Sequence, residues 1–354
     1  MKNVSYLGLI TKLSFLLIIA LMFNCFRKPA GFGEDTQLFV VADSTNWIQL
    51  ESTLRDVFER TIRTPQPEKV FELHWVPARK FSQFATRRNL VIAGVLDSEG
   101  EIDKRIQNML SSDVERKVRE RDAFAFPKKE PWAEDQLLVV LTSNHLKELE
   151  DKLVENDKYL YNLFHEKLIQ DTKAQMFAKM EQTELEKELL QKYGWMVRIQ
   201  HDYIIQTDRP QDRFVMLRRS LPGRERWLFV HWIENADSSK IGKEWALNTR
   251  NRLTEKFYKG DYIDEKNTTV KEVEFLGRNA LMLQGLWAND EKVAGGPFKN
   301  YSFYDDASGR IYMIDIAVYY PAGDKEPFLR QLDVMAHTFK TIHEKGTEEA
   351  QEAS

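Results

Sequence analysis

Apolar and polar positions follow two regimes along this chain. In the first half, short apolar-rich runs at 38–42, 70–76, 89–95 and 136–142 read as strands, and the first of them reads as a buried one. Between them, apolar residues recur at three- and four-residue steps. Leu50, Leu54, Val57 and Phe58 predict a helix over 48–62, stopped by Thr64-Pro65-Gln66-Pro67. Ile106, Met109, Leu110, Val114 and Val118 predict a surface helix over 101–121. A long helical region then runs from about 143 towards Tyr193, with a break expected near Asp171, and Gly194 has the character of a C-cap.

Beyond Gly194 the pattern is mostly strand-like, at 195–199, 214–219, 227–233, 273–287, 298–304 and 310–320. Leu221-Pro222-Gly223-Arg224 has the Pro-Gly order of a type II turn, and Asp305 to Gly309 reads as a hairpin turn with glycine in the left-handed position. In the last strand, Tyr312, Ile314, Ile316, Val318 and Tyr320 point one way and Asp315 the other. Helices over 238–258 and around Phe328, Leu332, Met335 and Phe339 can cover this sheet. The expected fold class is α+β, with two domains, 37–193 and 194–343, each a mostly antiparallel sheet packed with helices. An apolar-poor acidic tail, 344–354, is expected to be disordered.

The N-terminus adds a location. Lys2 and Lys12 precede an apolar run over 13–23 that is shorter than the ~20 residues a bilayer-crossing helix needs but suits the core of an export signal. It ends at Cys25, the single cysteine of the chain, so no intramolecular disulfide can form. The segment resembles a bacterial lipoprotein signal: residues 1–24 as leader, Cys25 as lipidation site, and 25–36 as tether. Met22, Phe23 and Asn24 stand where such signals carry small residues. An uncleaved anchor over 6–26 is the competing reading, and both leave the folded part at a membrane, facing away from the cytoplasm.

Composition changes the picture little. The 354 residues are 42% hydrophobic and 30% charged with a net charge of -4, which suits a water-soluble body and gives no general attraction to a polyanion. Nucleic acid is therefore not an expected partner. The basic stretches 116–121 and 218–226 read as solvated faces. No metal motif, nucleophile elbow or phosphate loop is present in the sequence, so no catalytic residue, metal or cofactor is assigned. Asp305-Asp306 reads as turn chemistry.

The stretch from Gly285 to Phe298 is the one candidate surface. Gly295, Gly296 and Pro297 can set a rigid corner with positive φ at the glycines, and Trp287, Phe298 and Tyr301 can supply flat apolar area, with Arg88 and Arg330 adding anion pairing at its edge. Core packing of Trp287 and Phe298 is the alternative.

At these residues the chain resembles the domain of unknown function family 4837, predicted lipoproteins of Bacteroidota-type bacteria. The resemblance is carried by Phe39-Val40-Val41-Ala42-Asp43 with Trp47, Pro65-Gln66-Pro67-Glu68, Arg88-Asn89-Leu90-Val91-Ile92, and Trp132-Ala133 with Gln136. It continues in Gly285-Leu286-Trp287, Gly295-Gly296-Pro297-Phe298 and Phe328-Leu329-Arg330-Gln331-Leu332-Asp333. It implies an envelope lipoprotein and supplies no substrate. The second half is also similar in its element pattern to sheet-and-helix modules of the Mog1/PsbP type. Together these readings lead to a lipid-anchored, periplasm-facing binding or assembly protein, placed at the outer membrane, with an unidentified protein or small-ligand partner. An envelope hydrolase whose acids and histidines meet only in the folded chain is the competing expectation.

Overall fold

A computed structural model describes residues 28–345, so the leader, Cys25 and the tail from 346 onward lie outside the described residues. The chain forms two compact units. One comprises the described residues up to Phe58 together with Phe71–Phe164, and the other Glu59–Val70 together with the described residues from His165. The division thus falls at Phe164/His165, not at Gly194, and a small hairpin from earlier in the chain joins the second unit.

In the first unit, β1 (Gln37–Ala42), β2 (Glu72–Pro77), β3 (Asn89–Val95), β4 (Ala125–Lys129) and β5 (Leu137–Ser143) form one sheet in the order β2-β1-β3-β5-β4. β1 pairs parallel with β2 and β3, and β3 pairs parallel with β5; β4 at the edge is the antiparallel member. This corrects the expectation of a mostly antiparallel sheet here. The reason is visible in the runs themselves: β3 and β5 are buried at every position, and a strand covered on both faces needs helical crossovers. α1 (Ser44–Phe58) makes the first crossover, burying Leu50, Leu54 and Val57. α2 (Glu101–Met109) and α3 (Ser112–Arg119) bring Ile102, Ile106 and Val118 against Phe39, Val41, Ile92 and Val140.

The helix expected over 101–121 is therefore two, parted where Leu110 turns extended (ψ 137°) and the Ser111 hydroxyl caps α3. At the end of β1, the Asp43 carboxylate accepts the backbone N–H groups of Glu101, Ile102 and Asp103 at 3.2, 2.9 and 3.3 Å. The strand order reverses beside β1, the place where parallel sheets commonly receive an anion at a helix N-terminus, and here the chain's own carboxylate fills it. The segment 29–36, expected as a free tether, is bonded to this unit through bridges from Ala30 to Glu134 and Phe32 to Arg87.

α4 (Leu146–Glu155) ends at Asn156, and α5 (Asp157–Phe177) carries the chain into the second unit. α5 is continuous through Asp171, which pairs with Lys167 one turn earlier, so the expected break lies at Asn156 instead.

In the second unit, α6 (Thr183–Tyr193) ends at Gly194 in the left-handed conformation, as its sequence predicts. β6 (Trp195–Met196) is shorter than expected. β7 (Ile204–Arg209), β8 (Phe214–Leu221), β9 (Arg224–Ile233), β10 (Tyr262–Phe275), β11 (Arg278–Asn289), β12 (Ala294–Asp305) and β13 (Arg310–Tyr319) form a seven-stranded antiparallel sheet. Its order is β10-β11-β12-β13-β9-β8-β7. Gly223 and Gly309 take the positive φ their turns require. The run expected over 273–287 is split into a hairpin by Leu276 and Gly277, both left-handed, as a two-residue turn demands.

Both faces of this sheet are covered. α8 (Glu326–Ala336) packs Leu329, Leu332 and Met335 with Tyr312, Ile314, Ile316 and Val318. α7 (Lys243–Tyr258) packs Ala246, Leu247 and Leu253 on the other side, with Phe214, Phe229, Leu283 and Met313. Asp315, pointing away from its apolar neighbours, meets Arg250 of α7 at 2.6 Å, each side chain 1% exposed. Asn300 donates a further bond to that carboxylate at 3.0 Å, so the buried charge is paired and bonded.

Candidate functional site

Trp287 faces Gly296 across the β11–β12 pairing. A Cβ added at Gly296 would lie 2.0 Å from the Val318 carbonyl oxygen and 3.1 Å from Trp287 Nε1. The missing side chain is what lets the indole lie across β12 and donate its Nε1–H to Val318 O at 3.2 Å. A Cβ at Gly295 would sit 2.9 Å from Trp287 O. Both glycines belong to β12, and neither has positive φ. Their use is close packing between strands, which corrects the expectation of a rigid corner. The turn itself is 290–293, with Val293 left-handed and 91% exposed at its tip.

The expected exposed surface is not present as such. Trp287 is 3% exposed and Phe298 fully buried, the latter lying under the Arg250 guanidinium at 4.0 Å from its ring. Pro297 is buried too. Tyr301 points to the opposite face because strand residues alternate, stacking on Phe275 and donating to Asp333 at 2.7 Å. Arg330 bonds Glu326 at 2.9 Å and the Thr172 hydroxyl at 2.6 Å. Arg88 belongs to the other unit and pairs with Asp35 at 3.1 Å. These residues therefore do not compose one patch.

What does open at Trp287 is a cleft of about 450 Å³ on the α7 side of the sheet, past the helix's C-terminal end. Six strands contribute to its lining besides the helix end, because the sheet is wider than the single helix laid on it. Trp227 stands nearly perpendicular to Trp287 (84°, centroids 5.7 Å apart) and stacks on Tyr258 (30°, 5.9 Å). Tyr319 approaches Trp287 at 6.3 Å, and Phe257 and Met216 extend the apolar lining. Two ion pairs stand in the lining, Arg218 with Glu225 at 2.8 Å and Lys292 with Asp261 at 3.2 Å.

The loop is locked to the helix end. Asn289 donates to Asp261 at 2.6 Å and to Lys259 O at 2.9 Å, while the Lys292 ammonium caps the Tyr258 carbonyl at 2.5 Å. Burial holds the Tyr258 phenol well above its ordinary range, so it stays protonated at neutral pH. Its hydroxyl is buried without a partner. Lys259 at the rim is exposed and left-handed (φ 61°).

Sequence reading placed Trp287 in the site and missed Trp227, Tyr258, Tyr319, Arg218 and Lys259. Trp227 was legible as the residue alternating out of the 228/230 face of its strand. The rest come together only when β9, β13 and the end of α7 converge.

Acids and histidines do meet elsewhere. Asp333 receives Lys299 at 2.5 Å, Tyr301 at 2.7 Å and His337 at 3.3 Å. Burial pushes its carboxyl up, but Lys299 and His337 together hold it well below the usual carboxylate range. Its bonds to Lys299 and Tyr301 tie α8 to β12, a structural use. Among the described residues, no group of three or more His, Cys, Asp and Glu is placed to hold a metal ion, and no helix is long and apolar enough to cross a membrane.

An α+β architecture with an aromatic cleft on a seven-stranded antiparallel sheet defines the class of module. Residues 182–338 match the family model Domain of unknown function (DUF4837), and residues 32–177 match a second, Domain of unknown function (DUF8532). The motifs from Phe39 to Gln136 lie in the span of the second family, or in 65–68 within it, so the resemblance to DUF4837 is carried by the later ones. No curated protein matches the sequence. Among solved structures, the chain is similar to the Ran-binding protein Mog1p of Saccharomyces cerevisiae (15% identity, 43% of this chain and 93% of that one, TM-score 0.30). It is also similar to LpqN, involved in cell envelope biogenesis of Mycobacterium tuberculosis (8% identity, 41% and 82%, TM-score 0.28). A third is PA94 of Pseudomonas aeruginosa, a protein of unknown function (13% identity, 39% and 87%, TM-score 0.22).

Proposed function

We propose that this is a lipid-anchored, periplasm-facing protein of the cell envelope that binds a small ligand, without chemistry, in the cleft beside Trp287. The observation that carries the binding reading is the cleft itself: aromatic faces at several inclinations around a concave space, with paired charges at its walls, match the lining of small-molecule sites. The anchor rests on the apolar run ending at Cys25.

Native mass spectrometry of the detergent-extracted chain tests the cleft. A small-molecule adduct is expected on the wild type and is expected to vanish from a Trp227→Ala/Tyr319→Ala variant with unchanged circular dichroism. An adduct that persists in the variant, or none on the wild type, overturns the reading. For the anchor, Cys25→Ala should leave the membrane fraction and lose palmitate label, and unchanged retention would refute lipidation.

A further inference from the structure

We propose that the ligand of this cleft is an amphiphilic anion, a planar apolar group held against Trp227 and Tyr319 and ended by a carboxylate that pairs with Lys259 at the rim. The inference rests on the cleft being a binding site and specifies the chemistry it selects. Aromatic side chains stand together among polar ones in its lining and offer faces on which a flat apolar group can stack.

The charge balance decides the other end. Both carboxylates of the lining are already engaged, Glu225 by Arg218 and Asp261 by Lys292 and Asn289. Lys259 has no ion-pair partner among the described residues, so the cleft carries one uncompensated positive charge. An anionic group meets that excess charge, whereas a cationic ligand would find every carboxylate taken. The carbonyl end of α7 opposes an anion, but the ammonium of Lys292 already neutralises it at Tyr258 O.

Titration of the full chain with indole-3-acetate, indole-3-acetamide and tryptamine, followed by calorimetry, holds the ring constant and varies the charge. The acid should bind about tenfold tighter than the amide at low salt, tryptamine should bind weakest, and the margin should shrink as salt is raised. Lys259→Asn keeps a residue that tolerates the left-handed backbone and should lower the acid's affinity to that of the amide, with the unfolding transition unchanged. The proposal is overturned by an amide or amine that binds as tightly as the acid, by an acid preference that survives Lys259→Asn, or by no saturable binding of any of the three. An amide that binds saturably and as tightly as the acid leaves the cleft as a binding site and removes only its anion selectivity. The binding reading itself stands or falls with the adduct experiment.

Discussion

Truncating Trp287 to alanine separates a packing role from a surface role. With 3% of the residue exposed, essentially the whole side chain is out of water, about 200 Å² for a tryptophan. At ~25 cal/mol per Å² that burial is worth about 5 kcal/mol as an upper value. The indole bond to the Val318 carbonyl at 3.2 Å adds about 1 kcal/mol. Because Trp287 also borders the cleft, water can enter the space left behind, and part of the cavity penalty is relieved. A loss of about 3–4 kcal/mol is expected. Trp287→Phe keeps most of the apolar area but forfeits the N–H bond, and should lose about 1–2 kcal/mol. Urea unfolding followed by far-ultraviolet circular dichroism measures both; fluorescence is a poor reporter because the chain holds eight tryptophans. The slope of free energy on urea should be unchanged. A loss below about 1 kcal/mol for Trp287→Ala would refute the packing role, since such values belong to surface positions.

Other perturbations follow from the same contacts. Gly296→Ala places a methyl 2.0 Å from a backbone oxygen that cannot yield cheaply, and should lose at least about 3 kcal/mol by the same assay. Asp43→Ala removes the acceptor for the N–H groups at the start of α2 and should cost about 1–2 kcal/mol, most clearly at low salt. Burial raises the Glu186 carboxyl to about 7, against the bond it accepts from Ile199 N–H. The native state then holds a proton the unfolded chain releases, so stability is full below the ordinary carboxylate range and falls as pH rises towards 7. Glu186→Gln should abolish that decline and gain about 2–3 kcal/mol at pH 8, read from urea midpoints across pH. Asp315→Ala leaves the Arg250 guanidinium buried and unpaired and should cost about 3–5 kcal/mol.

Much of the element pattern could be read from residues near one another in the chain. The run Asn89–Val95 is a strand with the bounds its apolar residues predict, and Gly194, Gly223 and Gly309 stand at the positive-φ positions their turns need. Asp305 does serve its own hairpin, accepting from Ser308 N–H. The alternation of the last strand correctly set Asp315 apart from Tyr312, Ile314, Ile316 and Val318. These are properties of backbone conformation and period, fixed by residues within a turn of each other.

Pairing and coverage were decided elsewhere. An unbroken apolar strand does not say whether its neighbour runs parallel or antiparallel, so the first sheet took its direction from the crossovers around it. Nor does an aromatic beside a Gly-Gly-Pro run say whether helix or water lies over it. α7 covers Phe298 and ends at Tyr258, against Trp227, and the difference between the width of a seven-stranded sheet and one helix makes the cleft. Local sequence fixes where a side chain points along its own strand; what meets it there depends on segments dozens of residues away, which only the closed fold brings together.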